Sequence, residues 1–335
     1  MGRGLAGGPD HGNTMIVLIT GASGFLGRAV AAELVAAGHE VRALQRTPSG
    51  VAGVTDVRGS VTDADLIARA VEGADGVVHL AAKVSLAGEA AEFQAVNVDG
   101  TRTLVDAAEA AGVTRFVQVS SPSVAHSGSA LAGVGAERAD PESARGMYAR
   151  TKAESELLAL ARDSASMRVV AVRPHLVWGP GDTQLIARIV DRARRGRLPL
   201  LSGGTALIDT TYVENAASGI VAALHRADHA HGNAYVITNG EPRPVADLLA
   251  GICRAAGARP PRVSIPAAVG RAAGGLIERV WAVRPGADEP PMTRFLAEQL
   301  STAHWFDQRQ TRSDLDWRPT VSLDEGLRRL AAHPA

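Results

Sequence analysis

The sequence predicts an α/β fold, a doubly wound parallel sheet followed by a smaller, mainly C-terminal region. Two observations support this. Between residues 15 and 173, short β-branched runs alternate with alanine-rich stretches of helical character, the pattern of parallel strands joined by right-handed crossover helices. The composition, 46% hydrophobic and 21% charged over 335 residues, is that of an ordinary folded protein and suffices for about two domains.

The predicted elements follow from this alternation. Strands are expected over residues 15–20, 40–45, 54–58, 76–80, 116–120 and 168–173, and helices over 25–37, 64–71, 92–110 and 148–163. After residue 173 the pattern becomes irregular. A short parallel strand near 234–238 is expected to return to the first sheet.

Charge and cysteine content exclude several classes of partner. The 35 basic and 35 acidic residues cancel, so the chain has no overall field to attract nucleic acid. The one cysteine, Cys253, cannot form an intramolecular disulfide, which suits a reducing cytosol and predicts a cytoplasmic protein. The apolar stretch 265–283 is interrupted by Arg271, Glu278 and Arg279, so no integral membrane segment is predicted.

A glycine-rich segment follows the first predicted strand and opens the first helix. Its spacing is G-x-x-G-x-x-G, with Gly21, Gly24 and Gly27 at the glycine positions. Gly21 suits a tight turn, Gly24 lets a pyrophosphate approach the backbone, and Gly27 lets the helix pack close to the strand. Because a helix N-terminus attracts phosphate, the segment predicts a dinucleotide site and a Rossmann-type sheet. A plain strand-to-helix turn is the alternative.

The end of the second strand bears on which nicotinamide cofactor is bound. An acidic residue there would hydrogen-bond a free ribose 2′-hydroxyl, but residues 44–47 contain no acid. Arg46 instead offers a planar cation suited to a 2′-phosphate. The sequence therefore favours NADP(H), with a solvated strand-end arginine as the alternative.

Two further segments contain candidate catalytic residues. Tyr148 and Lys152 are four residues apart on a predicted helix and so share one face. A nearby lysine charge is expected to lower the pKa of the phenol toward the working range of a proton donor. At the end of the fifth strand, Ser121 is suited to donate to a substrate carbonyl, with Ser123 as an auxiliary; the alternative is that both satisfy backbone groups.

Taken together, these motifs resemble the extended short-chain dehydrogenase/reductase superfamily. Segments 79–82 and 97–101 belong to the same pattern. Segments 173–182, 289–296 and 304–307 resemble the 3β-hydroxysteroid dehydrogenase branch, and within it most of all the bacterial 2-alkyl-3-oxoalkanoate reductases of olefin biosynthesis.

The resemblance implies hydride transfer between NADP(H) and the ketone or alcohol of a hydrophobic small molecule, a 2-alkyl-3-oxoalkanoate or a 3β-hydroxysteroid-like compound. It implies Tyr148 as acid/base, Lys152 tuning it and Ser121 polarising the carbonyl. Asn97 is given a helix-positioning role. The implied cofactor contacts are Gly21, Ser23, Gly24, Phe25, Leu26, Gly27, Arg46, Leu80, Ala81, Ala82, Tyr148, Lys152, Pro174 and Leu176. The implied substrate contacts are Ser123, His126, His175 and Trp178.

The domain organisation follows from these assignments. Residues 1–14 are expected to be a disordered leader, 15–173 the NADP-binding domain and 174–335 the mainly substrate-binding region, with 205–240 returning to the first domain. The resemblance also predicts a homodimer. No metal site is predicted, although His225 and His229 have a helical i, i+4 spacing. Two alternative functions remain open: an epimerase or dehydratase that recycles its cofactor internally, and a non-catalytic NADP-sensing regulator.

Overall fold

The computed structural model describes residues 14–84, 88–126, 130–283 and 294–333. Almost all of the predicted leader, residues 1–13, lies outside this range, as does much of segment 289–296. The strands are β1 (Ile16–Thr20), β2 (Glu40–Gln45), β3 (Val54–Arg58), β4 (Gly76–His79), β5 (Arg115–Val119), β6 (Leu131–Val134), β7 (Arg168–Pro174), β8 (Val177–Trp178), β9 (Leu200–Leu201), β10 (Leu207–Ile208), β11 (Thr211–Tyr212), β12 (Ala234–Ile237), β13 (Arg243–Pro244), β14 (Ser264–Ile265) and β15 (His304–Phe306).

The helices lie between these strands. They are α1 (Phe25–Ala36), α2 (Ala64–Val71), α3 (Ala90–Phe93), α4 (Gly100–Ala110), α5 (Gly146–Leu160), α6 (Leu185–Arg194), α7 (Val213–His225), α8 (Ala227–Ala230), α9 (Val245–Ala255), α10 (Ala267–Val283), α11 (Arg294–Ser301), α12 (Arg309–Asp314) and α13 (Leu323–Ala332). A π-helix spans Gln94–Asp99, and 3₁₀ turns span Pro122–Ala125 and Ser202–Gly204. None of the helices in these ranges is long and apolar enough to cross a membrane.

Seven parallel strands form the main sheet, in the order β12-β7-β5-β4-β1-β2-β3. Its central strands are buried on both faces, because α1 and α7 cover one side and α2, α4 and α5 cover the other. The strand order reverses between β1 and β4, which opens a crevice at the carboxyl edge where ligands bind in such sheets. The Rossmann-type α/β fold predicted from the sequence is therefore observed, with the predicted strands placed to within three residues.

The strand predicted near 234–238 is observed as β12, which pairs with β7 at the edge of the main sheet. A second, four-stranded sheet has the order β13-β10-β15-β6. Its edge strand β6 comes from the first half of the chain and pairs in parallel with β15 near the C-terminus. The boundary expected at residue 174 did not anticipate this exchange, because four residues carry too little pattern to reveal their partner.

One predicted helix differs in kind from the observed structure. The sequence predicts a single α-helix over 92–110, whereas the chain forms α3, then the π-helix, then α4. The π-helix contains Asn97, which is buried and hydrogen-bonded to two neighbouring segments. Single-turn π segments of this kind occur frequently at functional sites.

Candidate active site

The glycine loop lies between β1 and α1 at the carboxyl edge of the main sheet. Gly21 has a φ of +77°, and a Cβ atom there would lie 2.9 Å from the backbone nitrogen of Ala81. A Cβ on Gly27 would lie 2.1 Å from the carbonyl oxygen of Gly21, so helix and turn touch backbone to backbone. Gly24 is exposed, and its Cβ would meet only the Gly21 oxygen at 3.4 Å. Two glycines thus fix the fold of the loop, while the third leaves a face open.

A buried hydrogen-bond chain runs from this loop along the sheet edge. His79, at the end of β4, lies between the hydroxyls of Thr20, 2.7 Å from Nδ1, and Thr101, 3.0 Å from Nε2. Because Thr101 donates to the carbonyl of Asn97 at 2.7 Å, it accepts from Nε2–H, and Thr20 then donates to Nδ1. Burial, followed by the nearby Lys152 charge, lowers the pKa of His79 to about 3, so the ring is neutral.

Ser121 and Tyr148 meet at the end of β5, although they are distant in sequence. The Ser121 side chain lies close enough to the phenol of Tyr148 to lower its pKa. The Oγ atom of Ser121 also accepts from the hydroxyl of Ser123 at 3.0 Å and from its backbone N–H at 3.3 Å. Because Ser121 Oγ accepts both of these bonds, its own hydroxyl proton is left to donate. The 3₁₀ turn after β5 therefore sets the direction of the Ser121 hydroxyl.

Lys152 lies one helical turn after Tyr148 and is almost fully buried. Its Nζ donates to the carbonyl oxygen of Val119 at 2.6 Å, which holds the ammonium at the end of β5. Burial lowers the pKa of Lys152 to about 8, and the negative charge of Glu156 opposes that shift. The structure thus brings together the three side chains that the sequence singled out for chemistry.

The pKa of the Tyr148 phenol departs from the sequence expectation. Lys152 is expected from the i, i+4 spacing to lower it, but burial raises the pKa of Tyr148 above 10, and the hydrogen bond from Ser121 offsets only part of that rise. The physical reason is that loss of solvent penalises the phenolate. Tyr148 is therefore a protonated phenol at neutral pH, the form that donates a proton.

Asn97 connects three segments around these residues. Its Oδ1 accepts from the backbone N–H of Lys83 at 2.7 Å, and its Nδ2 donates to the Lys83 carbonyl at 3.2 Å and to the Thr151 hydroxyl at 3.0 Å. Thr151 belongs to α5, between Tyr148 and Lys152. The side chain of Asn97 therefore holds the segment after β4 against the helix that carries the candidate catalytic pair.

Arginines occupy the far end of the crevice, where β2 and β3 terminate. Arg46 is exposed, and its carbonyl oxygen accepts from Nε of Arg58 at 3.1 Å. The nearby carboxylate of Asp56 is engaged by the Gln45 side chain at 2.7 Å and by the Ser49 backbone at 3.1 Å. Sequence reasoning missed Arg58, although the register of β2 against β3, with Gln45 opposite Arg58, could have revealed it.

Comparison with known proteins agrees with this geometry. The model of the NAD dependent epimerase/dehydratase family matches residues 17–238. The chain belongs to this family. It is a member of the extended short-chain dehydrogenase/reductase group and, with relatives named as reductases and dehydrogenases, an NAD(P)-dependent dehydrogenase or reductase acting on CH–OH groups. A non-catalytic regulator is thereby set aside.

Two curated relatives of this family member span nearly the same length. A 2-alkyl-3-oxoalkanoate reductase of Stenotrophomonas maltophilia is 41% identical over 331 residues, covering 96% of this chain and 100% of the relative. A 3 beta-hydroxysteroid dehydrogenase/Delta 5-->4-isomerase of Mycobacterium tuberculosis is 32% identical, covering 93% and 88%. Both names belong to the branch expected from the sequence.

Solved structures of the family share the fold along the whole chain. MoeE5 in complex with UDP-glucose and NAD has a TM-score of 0.72 and 26% identity, covering 94% of this chain and 97% of that one. A short-chain dehydrogenase/reductase superfamily protein from Agrobacterium tumefaciens with bound NAD has a TM-score of 0.73 and 25% identity, covering 95% and 96%. The residues of this chain fit such a nucleotide, because Gly24 leaves an open, side-chain-free face at the N-terminus of α1.

The other predicted cofactor contacts line the same edge. Ser23, Phe25 and Leu26 open α1 and are partly exposed. Further predicted contacts follow β4 and β7; these are Leu80, Ala81, Ala82, Pro174 and Leu176, all partly exposed. Leu176 has a φ of +43°, a left-handed conformation that is rare for a leucine and is typical of functional loops. The edge is continuous from the glycine loop to the end of β7.

Two of the predicted substrate contacts, His126 and His175, are buried histidines. His126 is buried with its ring centroid 4.9 Å from that of His304. His175 is also buried, and its Nδ1–H donates to the Asp209 carbonyl at 2.6 Å. Burial lowers the pKa of His126 and takes that of His175 to about 4, so both rings are neutral.

Trp178 does not lie at an open cleft, contrary to the predicted substrate contact. Its side chain has no exposed surface, its Nε1–H donates to the Thr210 hydroxyl at 2.9 Å, and its ring packs edge-on against Tyr212. A large aromatic side chain with a satisfied N–H in this position serves packing. We therefore leave Trp178 out of the proposed substrate site.

The histidine spacing near the end of α7 has a different explanation. Nε2 of His225 lies 2.7 Å from Nε2 of His39, which precedes β2, so His225 bonds away from His229. In the described ranges, no group of three or more His, Cys, Asp or Glu side chains is arranged to hold a metal ion.

Proposed function

We propose that this enzyme is an NADPH-dependent ketoreductase that reduces the ketone of a 2-alkyl-3-oxoalkanoate. The observation that carries the proposal is the meeting of Ser121, Tyr148 and Lys152 at the end of β5, where the Ser121 side chain lowers the pKa of the phenol and the Lys152 ammonium is held by the Val119 carbonyl. The substrate class is supported by the 41% identity, over nearly the full length, to a protein named for that activity.

The residues divide the work as follows. When bound, the nicotinamide supplies the hydride for the ketone carbon. Ser121 donates a hydrogen bond to the ketone oxygen, and Tyr148 delivers the proton to that oxygen as charge develops on it. Lys152 lies on the Tyr148 face of α5 and contributes a positive charge that stabilises the phenolate left behind. Ser123 donates to Ser121 Oγ and so leaves the Ser121 hydroxyl proton for the ketone oxygen.

The preference for NADPH rests on the end of β2. Residues 44–47 contain no acid, and the Asp56 carboxylate is engaged by the Gln45 side chain and the Ser49 backbone N–H. Arg58 lies next to Arg46, because its Nε donates to the Arg46 carbonyl, and a guanidinium group is a donor well suited to phosphate.

A second candidate substrate is a 3β-hydroxysteroid or a similar alcohol, oxidised by the same residues in the reverse direction. It is favoured by the 32% identity to a mycobacterial protein named for that activity. An epimerase or dehydratase that recycles its cofactor is the third possibility within the family. Nucleotide-sugar epimerases and dehydratases typically have an asparagine where this chain has Pro174 and His175, at the end of β7. The difference argues against a nucleotide-sugar substrate.

One assay separates these possibilities. Purified protein is incubated with NADPH or NADP⁺ and a panel of 2-alkyl-3-oxoalkanoates, 3β-hydroxysteroids and nucleotide sugars, and the absorbance of the reduced nicotinamide is followed. We expect net consumption of NADPH with the oxoalkanoates. Production of NADPH with the steroids supports the second candidate. Conversion of a nucleotide sugar without net change in nicotinamide contradicts the proposal.

The proposal also covers the division of the chain into two parts and its association into a dimer. Residues 15–173 apart from β6, together with 205–240, form the nucleotide-binding part, the remainder of 174–335 contributes mainly to substrate binding, and two copies associate through α4 and α5. Light scattering on the purified protein tests the dimer, and a monomeric mass at working concentration contradicts it.

A further inference from the structure

A buried acidic residue follows the candidate catalytic pair on α5. Tyr148, Lys152 and Glu156 are spaced four residues apart, so they lie one above the other along the same face of the helix. Lys152 and Glu156 are each almost fully buried. None of the motifs that predict the cofactor and the chemistry includes Glu156.

Arg173 of β7 holds the Glu156 carboxylate with two parallel hydrogen bonds. Its Nε lies 2.9 Å from Oε2 and its Nη2 lies 2.5 Å from Oε1, while the side chains of Arg173 and Glu156 are 2% and 1% exposed. The remaining Nη1 donates to the carbonyl of Glu137 at 2.7 Å. Buried ion pairs are commonly no more stabilising than a well-packed apolar pair. Stability alone is therefore a weak explanation for this one.

Lys152 needs an anion in its surroundings. The hydrogen-bond partner of its ammonium is the carbonyl of Val119, which is neutral. Burial disfavours the charged amine, and the Glu156 carboxylate is the group that opposes this effect. A neutral Lys152 would offer Tyr148 no positive charge.

The other charged groups around α5 do not substitute for Glu156. His79, on β4, is neutral, and Arg173 is a cation. The remaining charged residues on the elements packed against α5 are at or near the surface: Glu92, Asp99, Arg102, Asp106, Glu109 and Arg168. The Glu156 carboxylate is almost fully buried, whereas the acidic residues among those just named are exposed.

We propose that Glu156 is a positioning residue that keeps the Lys152 ammonium charged inside the protein, with Arg173 fixing the carboxylate in place. Glu156 touches neither substrate nor nicotinamide in this proposal and acts through Lys152. Its consequence for turnover rests on the proposed function, but its effect on Lys152 does not.

The composition of the chain permits a direct measurement. The whole sequence contains two lysines, Lys83 and Lys152. Protein labelled with ¹³C at the lysine ε-carbon therefore gives two resonances, which the Lys83→Arg variant assigns. Their chemical shifts are followed against pH by NMR without nucleotide or substrate, so that the result does not depend on any assumed reaction.

The test variant is Glu156→Gln, which preserves the shape of the side chain and one acceptor for Arg173. We expect the titration midpoint of Lys152 to fall by about one pH unit relative to the wild-type chain. The matched control is Glu154→Gln, the same chemical change on the same helix two residues away, which should leave the midpoint unchanged. A Glu156→Gln midpoint that stays within about 0.3 of a unit of wild type, or one that Glu154→Gln shifts equally, overturns the proposal.

A double variant covers the case in which Glu156→Gln fails to fold. Glu156→Gln with Arg173→Met removes both buried charges at once, a change that such pairs often tolerate. Since Glu156 is the partner whose charge acts on Lys152, the midpoint should still fall in the double variant. An unchanged midpoint there overturns the proposal.

Turnover gives a second readout. In Glu156→Gln the alkaline limb of kcat/KM should move to lower pH by the same interval as the Lys152 midpoint. If instead the midpoint moves and the limb does not, Glu156 sets the charge of Lys152 but the assigned role of Lys152 in the reaction is wrong. The two failures are thereby distinguished.

Discussion

The side chains of Asn97 and Thr151 are joined by a hydrogen bond of 3.0 Å between Nδ2 and Oγ1. This bond connects the π-helix to α5 at a point between Tyr148 and Lys152. Because the other end of the Asn97 amide accepts from Lys83, one side chain sets the distance between the segment after β4 and the catalytic helix. The Asn97 amide therefore fixes the position of α5 relative to the segment after β4 without bonding to the Tyr148 phenol or the Lys152 ammonium.

Replacing Asn97 by Ala should destabilise the protein and impair turnover. The change leaves the partly buried N–H of Lys83 without its acceptor and removes the buried bond to Thr151, at a cost of about 1–3 kcal/mol in the free energy of unfolding. Urea denaturation and kcat measure the two effects. Gln94→Ala, at an exposed position of the same π-helix, is the control and should alter neither. Equal stabilities of the Asn97→Ala variant and the wild-type protein would show that the hydrogen bonds of Asn97 contribute nothing to the free energy of unfolding.

The Tyr148→Phe variant should lose turnover while retaining nucleotide binding. Removal of a general acid commonly costs about 10²- to 10⁴-fold in kcat. NADPH affinity, measured by fluorescence titration, should change little because the ring remains. Tyr235→Phe removes a hydroxyl that bonds to Asp314 and serves as the control, with kcat unchanged. Undiminished turnover by Tyr148→Phe would refute the assigned role.

Ser121→Ala should lower kcat and shift the pH profile in a direction that the structure fixes. The Ser121 hydrogen bond lowers the pKa of Tyr148, so its loss leaves the effect of burial unopposed and raises the pKa. The pH at which oxidation of the alcohol becomes fast, which needs the phenolate, should therefore move to higher values. Ser123→Ala, which loses only the orienting bond to Ser121, should show a smaller change of the same sign. A shift to lower pH would contradict this order of effects.

Arg46→Ala and Arg58→Ala should each weaken NADPH much more than NADH. Loss of one charge-assisted contact to the 2′-phosphate costs about 1.5–3 kcal/mol, or about 10- to 100-fold in Kd. Arg42→Ala removes a guanidinium from the same strand, bonded to Glu40 and to the Glu72 carbonyl, and should affect neither cofactor. Parallel losses for the two cofactors would refute the assigned phosphate contact.

Gly27→Ala and Gly24→Ala should differ sharply in stability. A Cβ at Gly27 would lie 2.1 Å from the Gly21 oxygen, so helix α1 must move, and overpacking of this kind costs about 1–3 kcal/mol. A Cβ at Gly24 would meet its nearest neighbour at 3.4 Å, so the fold should survive with weaker nucleotide binding. Thermal melts and nucleotide titrations separate the two effects. Similar melting temperatures for the two variants would contradict the packing argument.

Much of the site could be predicted from the sequence because its signals are local. The glycine spacing fixes the loop, and the four-residue interval between Tyr148 and Lys152 fixes a shared helix face. The meeting of Ser121 with that face follows from the common edge of a parallel sheet. Each inference needed only a short stretch of chain and a fold class.

The remaining features depend on contacts between distant segments. Arg58 could be recognised beside Arg46 only once the register of two strands was known. The pairing of Arg173 with Glu156 depends on how α5 lies on β7, which no short motif records. The burial of Trp178 is not predictable from the sequence, because an apolar pattern does not distinguish a core face from a ligand-facing one. The direction of the Tyr148 pKa shift was missed because the degree of burial is not visible in a spacing.

Strand β6, which lies between the serine turn and α5, pairs with β15 about 170 positions further along the chain, through the register Leu131↔His304. The two halves of the molecule are therefore interleaved and cannot be exchanged as blocks. A chimera with a relative that has one crossover at residue 174 would join β6 of one parent to β15 of the other. A chimera that exchanges substrate specificity between two members of this family should therefore fold only when residues 131–134 come from the same parent as the C-terminal part.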